Sequence, residues 1–179
     1  MRPRHVAQGL AVVGVVALLA LLGWKLVHRE TSIREAVEAG ERPAAPEFTL
    51  PRLDTEGALS LRSLRGKVVV LNFWQSACVP CEQEAPALQR TWERYRGDGV
   101  VFVGVDGWDL EPDARRFLRK HGITYPQVYD GPGTTYDSYG VPPWPQTFVI
   151  DREGRAVDFA LGELSEQELV EKLEAVLTG

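Results

Sequence analysis

The chain has 179 residues, a net charge of −5 and 44% hydrophobic residues. This length suits one medium domain with a short extension, and the negative charge excludes the basic surface typical of nucleic-acid-binding proteins. Its two cysteines are too few for a scaffold stapled by disulfides. If the two cysteines have a role, we expect it to be a chemical one.

The N-terminus is basic and then almost wholly apolar. As a helix, residues 6–27 would measure about 33 Å, enough for a hydrocarbon core of about 30 Å. The sequence therefore predicts a transmembrane signal-anchor over residues 1–27. A cleaved secretory signal and a buried core helix are the alternatives. Basic residues lie on both sides of the apolar run, so charge alone does not decide the orientation.

A polar linker, partly helical in its middle, is predicted over residues 28–46, and a domain over residues 47–179. Two short apolar patches around Gly57 predict a small β-hairpin. Continuous runs of β-branched and aromatic residues at 67–74 and 100–106 predict strands that are buried on both faces.

Three helices are predicted around these strands. The first begins at Cys78 and carries an apolar stripe, and the second opens at Pro112 and ends at Gly122. The third follows a capping box formed by Ser165 and Glu168. Shorter extended segments precede it: 125–130, 146–151 and 155–161. The order βαβα followed by ββα predicts an α/β fold with a mixed central sheet.

Cys78 and Cys81 follow a buried strand and open a helix. Residues three apart lie on one helix face, so the two sulfurs can meet. The unpaired N–H groups and the dipole at a helix N-terminus stabilise a thiolate. We therefore expect Cys78 to be the exposed nucleophile with a lowered pKa, and Cys81 to be the buried resolving thiol. Pro80 fixes the backbone early in the helix.

Three other roles for the pair fit the sequence less well. A structural disulfide closing so short a loop would constrain the unfolded chain little. Zinc needs about four ligands, and the chain has no second CxxC. Covalent haem attachment needs a His after the second Cys, where this chain has Glu82. Thiol–disulfide exchange is the predicted chemistry, with no metal and no cofactor.

Residues 48–88, which contain FWQSACVPCEQEAP, and residues 139–155, YGVPPWPQTFVIDREGR, carry a family resemblance. They resemble the membrane-tethered thioredoxin-like proteins of the TlpA/ResA/CcmG (DsbE) type, over residues 45–179. The resemblance implies a thioredoxin fold, with a mixed central sheet flanked by helices and an added N-terminal β-hairpin.

The resemblance also implies an activity. Such a protein is an extracytoplasmic, periplasmic thiol–disulfide oxidoreductase, usually a reductant of disulfides in exported proteins such as apocytochrome c. A membrane electron donor of the DsbD/CcdA type typically recharges it. We expect a monomer anchored to the membrane by one helix.

Site residues follow from the resemblance position by position. Cys78 matches the nucleophile and Cys81 the resolving cysteine, while Pro145 matches the cis-proline that faces them. Glu84 matches an acidic residue that tunes the cysteine pKa values in part of the family; a solvated helix residue is the alternative. Contacts with the substrate are expected from four residues: Trp74, Val79, Pro80 and Trp144.

Several positions depart from the family pattern. Ala77 replaces a usual Trp, Val79 follows the first Cys, and Trp144 is a large residue before the proline. These departures leave the direction of electron flow open. Asn72 stands where cytoplasmic thioredoxins have a buried Asp, so that proton acceptor is missing. Trp108 is a further candidate for substrate contact.

Three other activities are compatible with part of this pattern. A disulfide donor of the same fold differs only in its reduction potential. A thiol peroxidase would have a Thr three residues before its Cys, where this chain has Gln75. A copper-delivery module needs a CxxxC pair and a distal His, and no His lies near residue 145.

Overall fold

The computed structural model describes residues 14–24, 32–141 and 144–178. The chain divides into two compact units, Met1–Thr31 and Ser32–Gly179. In chain order the elements are α1 (residues 14–24), α2 (Ile33–Glu38), β1 (Thr49–Pro51), β2 (Ala58–Ser60), a 3-10 turn (Leu61–Leu64), β3 (Val68–Trp74), α3 (Val79–Tyr95), β4 (Val100–Gly107), α4 (Glu111–His121), β5 (Gln127–Asp130), α5 (Thr134–Tyr139), β6 (Gln146–Ile150), β7 (Ala156–Leu161) and α6 (Glu166–Thr178).

The first unit is described only over α1, whose side chains are exposed. Within the three described ranges, no helix has the length and apolar character needed to cross a bilayer. The transmembrane helix predicted over residues 1–27 is therefore not confirmed. Residues 1–13 and 25–27 of that prediction lie outside the described residues.

The second unit is built on a five-stranded sheet with the strand order β5-β4-β3-β6-β7. Strand β3 pairs in parallel with β4, and β4 in parallel with β5. Strand β6 pairs antiparallel with both β3 and β7. The two central strands, β3 and β4, are buried along their whole length. The predicted mixed sheet is confirmed.

Alternate side chains of β3 point to opposite faces of this sheet. On one face Val69, Leu71 and Phe73 pack with residues of α2, α5 and the β1–β2 region. On the other face Val68 and Val70 pack with residues of α3 and α6. Helices therefore cover both faces, which explains why β3 is apolar at almost every position.

The predicted hairpin is present. Strands β1 and β2 pair antiparallel as a separate two-stranded sheet. The chain that leaves β1 then runs beside β5, because Arg52 forms an antiparallel bridge with Val128 and the N–H of Leu53 donates to the carbonyl of Gln127 at 2.9 Å. The hairpin region thus lies against an edge strand of the central sheet.

The segment before the hairpin is packed onto the domain. Ile33 and Ala36 of α2 are buried, and so is Ala45. The N–H of Ala45 donates to Gly154 at 3.0 Å, and residue 156 donates to the carbonyl of Pro43 at 2.9 Å. The structure therefore places residues 32–46, which the sequence predicted as linker, in the same compact unit as the sheet.

Helix α5 was not predicted. It spans Thr134–Tyr139, and both Tyr136 and Tyr139 are fully buried. Backbone N–H groups of its first turn donate to the carboxylate of Asp130 at 2.8 and 3.1 Å. The helix is too short for a clear period in the sequence, and its capping group lies at the end of the preceding strand.

Candidate active site

Cys78 and Cys81 form a disulfide at the start of α3. Cys78 is the N-cap residue, and its Sγ accepts the N–H of Cys81 at 3.2 Å. Cys78 is half-buried, whereas Cys81 is 2% exposed. Because the first N–H groups of a helix have no partner within it, this position stabilises negative charge on Cys78. The geometry suits an accessible attacking sulfur and a sheltered resolving sulfur.

Trp74 is the last residue of β3, directly before the turn that leads to Cys78. Its side chain is 2% exposed, stacks on Phe117 with ring centroids 4.6 Å apart, and donates its N–H to Gln127 Oε1 at 2.9 Å. This burial contradicts the predicted substrate contact at Trp74. The residue instead fixes the end of the strand that carries the cysteines.

The other predicted contact residues are accessible to different extents. Val79 is 63% exposed, whereas Pro80 and Trp144 are half-buried. The peptide bond between Trp144 and Pro145 is cis. Trp144 packs against the apolar cluster that contains the buried cysteine, and its ring meets that of Trp108 edge-on at 5.9 Å. The disulfide therefore has aromatic side chains beside it.

Glu84 lies one turn after Cys81 on the same side of α3, and it is 2% exposed. Its Oε1 accepts the amide N–H of Asn72 at 2.7 Å, and its Oε2 accepts the backbone N–H of Leu164 at 3.1 Å. Burial raises the pKa of Glu84 to about 7, although the two hydrogen bonds act in the opposite direction. Glu84 is thus not a solvated helix residue.

Asn72 is hydrogen-bonded to the buried carboxyl group of Glu84. Its amide donates to Glu84 and also to Thr147 Oγ1, the latter at 3.0 Å. The carboxyl group is therefore supplied by α3 instead of by β3, and Asn72 holds it in place. The Asp of cytoplasmic thioredoxins is absent from β3, as the sequence indicates.

Two further acidic residues near the disulfide were not singled out from the sequence. Asp106 lies near the end of β4 opposite Trp74 and has no exposed surface. Burial and then the charge of Asp109 raise the pKa of Asp106 to about 8. Asp109 Oδ2 accepts the N–H of Ser76, two residues before Cys78, at 2.7 Å. The sequence signal for Asp106 is an acidic residue near the end of an otherwise apolar strand.

The reactive groups of this arrangement are the two sulfurs and the acids around them. In the described ranges, no group of three or more His, Cys, Asp or Glu side chains could hold a metal ion. A CxxC pair at a helix N-terminus can exist as a dithiol or as a disulfide, and so can transfer two electrons to or from another disulfide.

Comparisons with known proteins agree with this chemistry. A family model described as the AhpC/TSA family matches residues 42–158. The thiol-disulfide oxidoreductase ResA of Halalkalibacterium halodurans is 32% identical over 167 residues, which are 93% of this chain and 92% of that protein. ResA of Bacillus subtilis (strain 168) is 30% identical over 166 residues, 92% of this chain and 90% of that protein.

A solved structure gives the same result for the fold. A Chlorobium tepidum protein described as a thiol:disulfide interchange protein DsbE superposes with a TM-score of 0.71 and 31% identity. The match covers 76% of this chain and 96% of that one. The predicted thioredoxin fold is thus confirmed. The chain belongs to the AhpC/TSA family and, within it, to the ResA- and DsbE-type thiol–disulfide oxidoreductases, with Cys78 and Cys81 as the cysteine pair.

Proposed function

We propose that this oxidoreductase is a reductant of disulfides in exported proteins, apocytochrome c among them. In this proposal the domain works outside the cytoplasm, on the periplasmic side, as a monomer held at the membrane by an anchor within residues 1–27. The direction of electron flow rests on one observation, the buried carboxyl group of Glu84 one turn from Cys81.

A helix N-terminus alone favours a strong oxidant, because it stabilises the thiolate of the reduced form. Glu84 opposes that effect. Once ionised, its buried carboxylate disfavours a second negative charge nearby, and little solvent screens the two. The reduced pair is then less stabilised, and a less stable reduced form is a better electron donor.

The first step of the proposed cycle is attack by the Cys78 thiolate on a substrate disulfide. One bond forms between Cys78 Sγ and a substrate sulfur, the substrate S–S bond breaks, and the leaving sulfur takes up a proton from solvent. Val79 and Pro80, in the first turn of α3, and Trp144 across from them are the proposed contacts for the substrate chain.

Glu84 serves the second step. It accepts the proton of the Cys81 thiol, and the resulting thiolate attacks Cys78 Sγ. The mixed disulfide breaks, the second substrate sulfur leaves and takes up a proton from solvent, and Cys78 and Cys81 end as a disulfide. A pKa of about 7 suits this exchange near neutral pH. Glu84 also lines a surface cleft of about 310 Å³, through which its proton can exchange with water.

The cycle needs an electron supply. Two electrons leave with each reduced substrate, so the disulfide must be reduced again by a dithiol on the same side of the membrane. We propose a membrane electron donor of the DsbD/CcdA type for this role. The same exchange steps would then run in reverse, with the donor thiolate attacking the Cys78–Cys81 bond.

The reduction potential tests the direction. The full-length protein is equilibrated in glutathione or dithiothreitol redox buffers, and free thiols are trapped and counted. A midpoint at or below about −220 mV, in the range of thioredoxin and glutaredoxins, supports a reductant. A midpoint above about −150 mV, towards that of DsbA, would make the protein a disulfide donor and overturn the proposed direction.

A second experiment tests the location. Intact spheroplasts that express the protein are treated with protease and, separately, with alkaline carbonate. Digestion of the domain together with retention in the carbonate pellet supports an anchored domain outside the cytoplasm. Protection from protease would contradict the location outside the cytoplasm. Release of the full-length chain into the supernatant would contradict the membrane anchor.

A further inference from the structure

Asp106 is a buried carboxyl group that the exchange cycle does not use. It is wholly inaccessible, and neither of its oxygens has a hydrogen-bond donor among the described residues. It forms no ion pair there either. An ionised carboxylate without a partner is very unfavourable inside a protein. The neutral form, which carries a proton, is therefore the stable one at this position.

Acidic and phenolic groups face Asp106 from the surrounding elements. Asp109 follows β4 and is close enough to share a hydrogen bond once one carboxyl group is protonated. Tyr129 of β5 and Tyr136 of α5 both have a raised pKa, caused first by burial and next by the charge of Asp106. Glu111 of α4 also acts on Tyr129. Among the described residues, burial and Asp109 both raise the pKa of Asp106, and no cation offsets them.

The turn that follows Asp106 is hydrogen-bonded to the turn that precedes Cys78. Asp109 Oδ2 accepts the N–H of Ser76 at 2.7 Å, and the side-chain amide of Gln75 donates to the carbonyl of Trp108 at 3.0 Å. The backbone of Trp108 is in the left-handed region, with φ 54°, which is uncommon for a residue with a side chain. The two turns are therefore joined just before Cys78.

We propose that Asp106 is a positioning residue: it carries a proton shared with Asp109, and loss of this proton drives the Asp109 carboxylate away from Ser76 and so misplaces the turn before Cys78. The physical cause is repulsion between two carboxylates in a site with little water. Burial and Asp109 place the pKa of Asp106 at about 8, so the change falls in the mildly alkaline range. The inference is independent of the direction of electron flow.

The first test measures the proton itself. The full-length protein is kept oxidised in mild detergent, where the paired cysteines do not titrate, and Glu84→Gln removes the other buried acid near the disulfide. Tryptophan fluorescence is followed from pH 6 to 9.5, since Trp108 lies between the two aspartates in sequence. We expect a step near pH 8 that disappears when Asp106→Asn is added. A step that persists in the double variant would overturn the proposal.

The second test measures the coupling to the disulfide. The rate of reduction by dithiothreitol is determined at each pH, and the wild-type rate is divided by the rate of Asp106→Asn, which cancels the ionisation of the reagent. We expect a ratio near one at pH 6 and at least a threefold fall by pH 9. A ratio that stays flat would show that the proton does not control the turn.

Two further variants distinguish the proposed loss of a proton from a purely structural effect of the substitution. Asp98→Asn is a matched change at an exposed site after α3, and its rate ratio should stay flat with pH. Asp109→Asn keeps a carbonyl oxygen for Ser76 but removes the second charge, so the fluorescence step should move to lower pH. If Asp109→Asn leaves the step where it was, the two carboxyl groups do not share a proton. This variant also tests the proposal should Asp106→Asn fail to fold.

Discussion

Replacing Glu84 by glutamine removes a buried acid while keeping its shape. The carboxyl group is 2% exposed, and its pKa is raised from the ordinary 4.5 to about 7. A folded state that binds a proton more tightly than the unfolded state is most stable at low pH. The contribution of Glu84 to wild-type stability should therefore fall as the pH rises from 4.5 to 7 and then remain level.

The size of this effect follows from the shift. One pKa unit corresponds to about 1.36 kcal/mol, and integrating the two titration curves from pH 5 to pH 8 gives a loss of about 2.5 kcal/mol. Glu84→Gln cannot ionise and so avoids this loss. Glutamine has one carbonyl oxygen, so either Asn72 or Leu164 loses its acceptor, at a cost of about 1–2 kcal/mol at every pH.

The assay is urea unfolding of the oxidised full-length protein at pH 5 and at pH 8. The free energy of unfolding of the variant relative to wild type should improve by about 2.5 kcal/mol between the two pH values. Glu171→Gln, an exposed change on α6, should show no such improvement. An equal effect of Glu84→Gln at both pH values would mean that Glu84 ionises normally, and its proposed role as acceptor for Cys81 would fail.

Three more outcomes are expected. Cys81→Ser should accumulate a mixed disulfide between Cys78 and substrate, visible on a non-reducing gel, whereas Cys78→Ser should form none. Ile33→Ala should lower the free energy of unfolding by about 2 kcal/mol, because this side chain is buried by the domain, and the exposed Glu38→Ala should change it little. Leu169→Ala should cost about 3 kcal/mol, since the residue is fully buried in the core beneath α6; equilibrium unfolding measures both.

The elements that the sequence predicted correctly are those set by local pattern. Strands β3 and β4 could be recognised because they are covered on both faces and so are apolar without interruption. The start of α6 followed from its capping box, in which Ser165 and Glu168 satisfy each other's backbone N–H groups. The cysteine pair was recognisable for the same reason, since its spacing and its helix position are local.

The features that were missed depend on contacts between distant parts of the chain. Helix α5 is stabilised by burial of its tyrosines and by Asp130. In the sequence Trp74 lies close to the cysteines, but Gln127, which accepts its indole N–H, is 53 positions away. The burial of Glu84 likewise requires Leu164, which is 80 positions away. A single sequence does not reveal such pairings.

Residues before and within the hairpin region pair with part of each edge strand of the central sheet. Arg52 and Leu53 pair with β5, and the chain at 43–45 pairs with the beginning of β7. Open strand edges invite pairing with other chains and hence aggregation. A truncated protein that begins at residue 47, where the sequence predicts the domain to begin, would keep the pairing with β5 but expose the start of β7. Preparations of this domain should therefore begin before Pro43.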